Sequence, residues 1–302
     1  ATTEIYTLSL HDALPISAAI AMAAVSLAAC GSDDGGDGDV KVNSDAKFES
    51  GTTMAKLHDA GTIKVGTKFD QPGFGLKGPS GKPEGFDVEV AKIIAGALGI
   101  KPDKIEWVET PSKVREEVIE QGKVDMVAAT YTINDKRKER ISFAGPYYVA
   151  GQQLMVKSDN SAITGPDALK SNPDAKVCSV TGSTPAENIK QYLASESQLV
   201  LFDVYDKCAA ALKNNQVQVV TTDNVILLGF VSKSDGDFKL VGDQFTEEPY
   251  GIGITKGDVK FCEFINTTLK ENEDAYNKAW ESTAGKVEGA SAPKLPEAAP
   301  CS

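Results

Sequence analysis

The chain has 302 residues, of which 41% are apolar and 25% charged, enough to bury a core and to build one large domain or two lobes of ordinary size. Its formal net charge of −12 argues against nucleic acid as a partner, because such binding draws on clustered Lys and Arg. His58 is the only histidine beyond the first 16 residues and no CxxC is present, so neither a metal nor another cofactor is expected.

Residues 4–16, EIYTLSLHDALPI, read as an in-frame translation of a common sequencing adapter. Ala1 to Ile16 also lacks the basic residues that open a secretory signal, so residues 1–16 are expected to be artefactual. Residues 17–29 are apolar but fall short of the roughly 20 residues that a bilayer span needs. They end in Leu27-Ala28-Ala29-Cys30, which resembles a bacterial lipobox. That resemblance implies a lipoprotein signal remnant over 17–29, a lipidated Cys30 and anchoring to the outer face of the cell membrane. The run GSDDGGDGD cannot continue a helix, and residues 30–47 are expected to be a flexible tether.

Beyond the tether, Thr62 to Gly66 predicts a strand. Phe86, Val90, Ile93, Ile94, Ala97 and Leu98 recur at the 3- and 4-residue spacing of one helix face. A strand over Lys104 to Val108, a helix over Ser112 to Glu120 and a strand over Val124 to Ala129 follow, and such alternation implies a mostly parallel sheet covered on both faces. The segment GPYYVAGQQLMVK, Gly145 to Lys157, is rich in extended formers. A second alternation succeeds it: strand Lys176 to Val180, a helix opened by a capping box over Thr184 to Glu187, strand Leu199 to Phe202, helix Tyr205 to Asn214 and strand Val217 to Thr222. Extended, glycine-bearing character returns at Glu247 to Thr255, ahead of a helix-rich end and a Pro/Ala tail. Two extended crossovers bracketing one α/β block imply a discontinuous first lobe, residues 48–148 and 250–302, a continuous second lobe, residues 149–249, and a two-strand hinge. Four cysteines remain beyond Cys30. Their even number in an exported chain implies two disulfides among three connectivities, and the lobe assignment favours Cys178 with Cys208 and Cys262 with Cys301.

The run Gly85-Phe86-Asp87-Val88-Glu89-Val90 resembles the signature of polar amino-acid solute-binding proteins, family 3. GKVDMVAATYTINDKRKERISFAGPYY and KVCSVTGSTPAENIK resemble their counterparts in the same family, over roughly Ile63 to Thr255 and with the strongest likeness to actinobacterial glutamate-binding lipoproteins. The resemblance implies an α/β, two-lobed periplasmic-binding-protein-like fold of type II, with a ligand cleft between lobes that close on a hinge. It also implies an ABC permease and ATPase as partners, and a monomer that is not an enzyme. The rival readings are an amino-acid-sensing module and an exported dehydratase on the same fold.

An α-amino acid needs a planar cation for its carboxylate, oxygen acceptors for its ammonium group and a pocket matched to its side chain. By resemblance, Arg137, six residues into the frame Thr132-Ile133-Asn134-Asp135-Lys136-Arg137, clamps the α-carboxylate, and Thr181 and Gly182 reach it from the second lobe. Asp223, Thr130 and Thr132 would take the ammonium group. Lys68, Ser112 and Arg115 would face a distal carboxylate, which favours L-glutamate over aspartate or glutamine. Phe69, Phe74 and Tyr205 are candidate walls.

Overall fold

The computed structural model describes residues 40–302; Cys30 and the segments 1–16 and 17–29 lie outside the described residues. Helix α1, Thr53–Ala60, opens on the hydroxyl of Thr52, which accepts from the Ala55 N–H, and it feeds β1, Ile63–Thr67. A small three-stranded sheet follows, with β2 at Asp70–Gln71, β3 at Gly75–Lys77 and β4 at Pro83–Glu84. Next come α2, Phe86–Ala97, β5, Ile105–Glu109, a 3-10 turn at Ser112–Val114, α3, Arg115–Glu120, β6, Met126–Val127, and the single turn α4, Asp135–Lys138. Strands β7, Ser142–Ala150, and β8, Gln152–Lys157, carry the chain onward through Gly151. The second block holds β9, Val177–Val180, α5, Thr184–Asn188, β10, Leu199–Phe202, α6, Tyr205–Lys213, β11, Val219–Asp223, α7, Asn224–Ser232, and β12, Phe238–Val241. The chain closes with β13, Glu248–Ile254, α8, Val259–Glu271, and α9, Glu273–Ser282.

Two five-stranded sheets result, in the orders β5-β1-β6-β13-β7 and β10-β9-β11-β8-β12. The chain leaves the first sheet at Ala150, enters the second at Gln152, and returns through β13, so the two-lobed α/β fold read from the sequence is the one observed. Parallelism is lower than expected. Strand β1 pairs parallel with β5 and β6, and β9 with β10 and β11, whereas the β13 and β8 pairings are all antiparallel. The physical reason is the crossover itself: a strand arriving from the other lobe runs back against its neighbours. The shared strand order also relates two halves in which no sequence repeat is visible.

Local expectations needed smaller corrections. The helix expected over Ser112 to Glu120 is split, and its first three residues are a 3-10 turn. The cap of α5 falls on Ser183, whose hydroxyl accepts from the Ala186 N–H, one residue before the Thr184 that opens the expected box. The tether reads too long, since Asn43 N–H already donates to the Gly96 carbonyl at 2.9 Å and fixes the chain to α2 before residue 48.

The core under the first sheet is aromatic. Phe74 and Phe86 meet edge to face at 5.9 Å between ring centres, and Trp280 stacks on Tyr148 at 5.3 Å. Helices α2 and α9 pack here, which is how the last helix, remote in sequence, becomes part of the first lobe. Both expected disulfides are present, Cys178 to Cys208 between β9 and α6 and Cys262 to Cys301 between α8 and the tail. The tail is further held by an Ala299 N–H bond to the Gly145 carbonyl.

Non-reducing peptide mapping is expected to recover both pairs. Loops of this size, once cross-linked, are worth about 3 kcal/mol; C178S/C208S should therefore lower the urea midpoint, and an unchanged midpoint would show the bond absent from the folded protein.

Candidate functional site

The expected site residues gather where the C-terminal ends of the parallel strands of both sheets face one another, the position at which α/β sheets present side chains to a ligand. Arg137 is set by the turn α4, whose N-cap Asn134 side chain accepts the Arg137 N–H at 2.9 Å. Its guanidinium is 6% exposed as a residue. Nη1 donates to the Thr132 carbonyl at 2.6 Å, Nη2 crosses to the Gly182 carbonyl at 3.0 Å, and Nε pairs with Glu116 at 3.3 Å. One N–H on each terminal nitrogen is left without a protein acceptor among the described residues, the geometry a carboxylate takes up in a two-pronged bond. Burial, and then Arg115, lower the Arg137 pKa to about 10.

Asp223 ends β11 at the N-cap position of α7 yet caps no N–H of that helix. Its Oδ2 accepts from the Tyr250 hydroxyl of β13 at 2.5 Å, while Oδ1 is buried with no partner among the described residues. Burial first, and Glu248 second, raise this carboxyl to about 7. An acceptor oxygen kept out of water without a donor is costly.

Thr130 is held in the left-handed region at φ +43, a conformation that costs a β-branched residue about 1–3 kcal/mol. Three groups hold it: Asp87 Oδ2 accepts its N–H at 2.8 Å, Arg115 Nη1 donates to its carbonyl at 3.3 Å, and its hydroxyl donates to Gln71 Oε1 at 3.0 Å. The Asp87 carboxyl, raised to about 7 mainly by burial, also accepts from the Tyr147 hydroxyl at 2.5 Å. The family signature thus contributes a brace beneath the site. Thr132 lies alongside, its hydroxyl oxygen 3.3 Å from that of Thr184 across the cleft.

Lys68 and Ser112 are brought together, Nζ donating to Oγ at 2.8 Å, and both are 3% exposed. Burial, followed by the Arg115 charge, lowers Lys68 to about 7. Arg115 is less open than the sequence implied: Nη1 also donates to the Ala129 carbonyl at 2.8 Å and its guanidinium lies 4.0 Å from the centre of the Tyr131 ring, with Nε unpartnered. Arg137 shares that ring at 5.0 Å.

The second lobe departs from expectation at Thr181, whose N–H is spent on the Phe202 carbonyl. Gly182 presents a carbonyl to Arg137, and at φ +81 a Cβ there would sit 2.7 Å from the Lys113 Cα. Of the candidate walls, Phe74 is core, Phe69 lies under the Lys77 ammonium at 4.8 Å, and Tyr205 is 3% exposed. Residues that sequence reasoning passed over are Glu116, Tyr131, Tyr250 and Glu248. The last accepts from Thr184, Asn188 and Thr246; nothing in EEPYG separates it from a solvated charge. His58 is spent on the Leu98 carbonyl, and no metal-holding cluster occurs among the described residues.

Two lobes meeting over buried, incompletely bonded groups of both signs define a protein that encloses a small polar molecule. The chain belongs to the bacterial extracellular solute-binding proteins, family 3, whose profile matches residues 63–280. It is 39% identical over 262 residues to the glutamate-binding protein GluB of Corynebacterium efficiens, covering 83% of each chain. It is 38% identical to the glutamine-binding protein GlnH of an ABC transporter of Bacillus subtilis, covering 85% of this chain and 93% of that protein. An ancestral arginine-binding protein bound to glutamine superposes with a TM-score of 0.69 and 35% identity, covering 75% of this chain and 99% of that one.

The contact at Gly182 can be tested directly. Gly182→Ala forces a Cβ into the Lys113 backbone and adds a left-handed penalty of about 1 kcal/mol. The expected outcome is a larger radius of gyration by small-angle scattering at saturating ligand, and an unchanged radius would remove this approach from the closed form.

Proposed function

We propose that this protein is the binding component of an amino-acid ABC importer, that it captures L-glutamate by lobe closure, and that it passes the ligand to a permease driven by its ATPase. The observation that carries the reading is the pairing of unfilled valences among the described residues: two free N–H groups on Arg137 and one free oxygen on Asp223, each buried and each of the sign an α-amino acid requires. In this reading Arg137 clamps the α-carboxylate, and Asp223 with the Thr130 and Thr132 oxygens receives the ammonium group. The Gly182 carbonyl steers Arg137 from the second lobe, and Thr181 supports that turn. Lys68, oriented by Ser112, takes the distal carboxylate, with Arg115 supplying its remaining Nε–H and the positive field.

The lobes would comprise residues 40–150 with 248–302, and residues 151–247. The protein acts as a monomer outside the cytoplasm, held to the membrane by a lipidated Cys30, and it is not an enzyme. Glutamate suits the cluster because three buried cations repel in an empty cleft, a cost that a second negative charge on the ligand offsets.

Calorimetric titration against the twenty amino acids tests the reading, with glutamate expected to bind most tightly. A hydrogen bond to a charged group is worth about 1.5–3 kcal/mol, so glutamine should bind roughly tenfold or more weakly. Lys68→Met should weaken glutamate much more than glutamine; equal losses would place Lys68 outside the pocket. Arg137→Ala and Asp223→Asn should each nearly abolish binding, by about 3–5 kcal/mol, and retention within a few-fold would sink both assignments.

The pH profile provides a further check. Asp223 must be ionised to hold an ammonium group, and its carboxyl is raised to about 7, so affinity should fall as pH drops below neutrality. Lys68 must be charged to hold a carboxylate, and its ammonium is lowered to about 7, so affinity should also fall as pH rises above it. Lys68→Met is expected to remove the alkaline limb for glutamate while leaving the acid limb, and an identical profile in the variant would overturn the assignment.

A further inference from the structure

The β2–β3 hairpin belongs to the first lobe but docks on two helices of the second. Its turn is fixed: Phe74, between the two strands, is 1% exposed and packs edge to face on Phe86, Tyr148, Tyr250 and Trp280. From that anchor, Asp70 Oδ2 reaches across the cleft and accepts the backbone N–H of Tyr205 at 2.7 Å. Tyr205 is the first residue of α6, and the N-cap residue of that helix is Val204, which has no side-chain acceptor to offer. The helix is therefore capped by a carboxylate of the opposite lobe. Two residues along the same hairpin, the Pro72 carbonyl lies against α7 at Gly229, where a Cβ would stand 2.4 Å from the oxygen.

We propose that Asp70 is a positioning residue that sets ligand affinity by capping α6 only when the lobes are closed, a proposal that rests on the closing-cleft reading of the site. Separating the lobes breaks this bond and leaves the first turn of α6 with an uncapped N–H, so the cap adds to the closed form alone. Asp206, in that same turn, is a neighbouring carboxylate whose pKa is raised by burial and then by the Asp70 charge; Lys68, lowered to about 7 mainly by burial, is the neighbour whose charged form the Asp70 carboxylate favours. These neighbours define two separable routes from Asp70 to the ligand. Acting through Lys68, the carboxylate would alter the preference for an acidic side chain. Acting as a cap, it strengthens every ligand by the same factor, since an open-to-closed equilibrium multiplies all affinities alike.

The test uses the full chain as wild type, Asp70→Ala, Asp70→Asn and Gly229→Ala, with glutamate and glutamine as probes in calorimetry and stopped-flow dissociation. Loss of a cap is worth about 1 kcal/mol, which converts to roughly fivefold in Kd. Asp70→Ala is expected to weaken both probes by that same factor, chiefly through faster dissociation, with the ligand-free melting temperature unchanged. Asparagine, which retains a capping oxygen, is expected to recover most of the loss. Gly229→Ala should weaken both probes equally, by wedging the hairpin off α7. Wild-type Kd values in Asp70→Ala, or losses that differ between glutamate and glutamine, would overturn the proposal. If wild type binds neither probe, the glutamate assignment fails by itself, and the Asp70 series is then read with whichever of the twenty amino acids it does bind.

Discussion

A guanidinium removed from water must find acceptors, and the way Arg137 finds them organises this protein. Its partners come from three places: the Thr132 carbonyl in the strand-end loop beside it, the Glu116 carboxylate on α3, and the Gly182 carbonyl of the other lobe. A buried charge left without partners costs several kcal/mol, so each of those segments is constrained to the position it occupies. The fork is nevertheless not filled. Two donors remain where both lobes converge, and no carboxylate among the described residues takes them.

The same incompleteness recurs around the cleft with alternating sign. Among the described residues Asp223 keeps one oxygen unbonded, Lys68 donates to the neutral Ser112, and Arg115 keeps a free Nε–H, its guanidinium and that of Arg137 both lying over the Tyr131 ring. Pairing these groups with each other would neutralise the cleft and leave nothing to recognise a ligand. The structure holds them apart with other partners, namely backbone carbonyls, the Glu116 carboxylate, the Tyr250 hydroxyl and the strained Thr130 turn that Asp87 supports. Leaving buried polar atoms unbonded forgoes stability, which a molecule of complementary charge could restore.

The contact between the lobes includes backbone approaches that leave no room for a side chain. The Gly182 turn lies against Lys113, and α7 meets the Pro72 carbonyl at Gly229. Disulfide Cys178 to Cys208 ties β9 to α6, so the two segments of the second lobe that face the first, the Thr181-Gly182 turn and the start of α6, move as one piece. The hairpin carrying Asp70 is equally rigid because Phe74 is locked in the aromatic core. The surfaces that meet between the lobes are therefore each fixed within their own lobe.

Much of this was legible in the sequence because it is local. Hydrophobic period marked α2, β1, β9 and β10 close to their observed limits, the alternation of elements implied two α/β lobes, and the lobe assignment chose the observed cysteine pairing. Arg137 and Asp223 were singled out by their resemblance to the family's frames, and the structure sets them on a short capped turn and at a strand end. Properties set by distant neighbours were not legible. The antiparallel strand that lies fourth in each sheet comes from a crossover between lobes, the Thr181 amide is consumed by the Phe202 carbonyl of a strand later in the chain, and Arg115 is half engaged by carbonyls of its own lobe. Tertiary structure also decided that Asp223 caps nothing, that Asp70 caps α6, and that Glu248 is buried rather than solvated. Sequence determined which chemical groups this protein carries and on which elements; only the fold decided which of their hydrogen-bonding valences stay empty, because that depends on what packs around them from elsewhere in the chain.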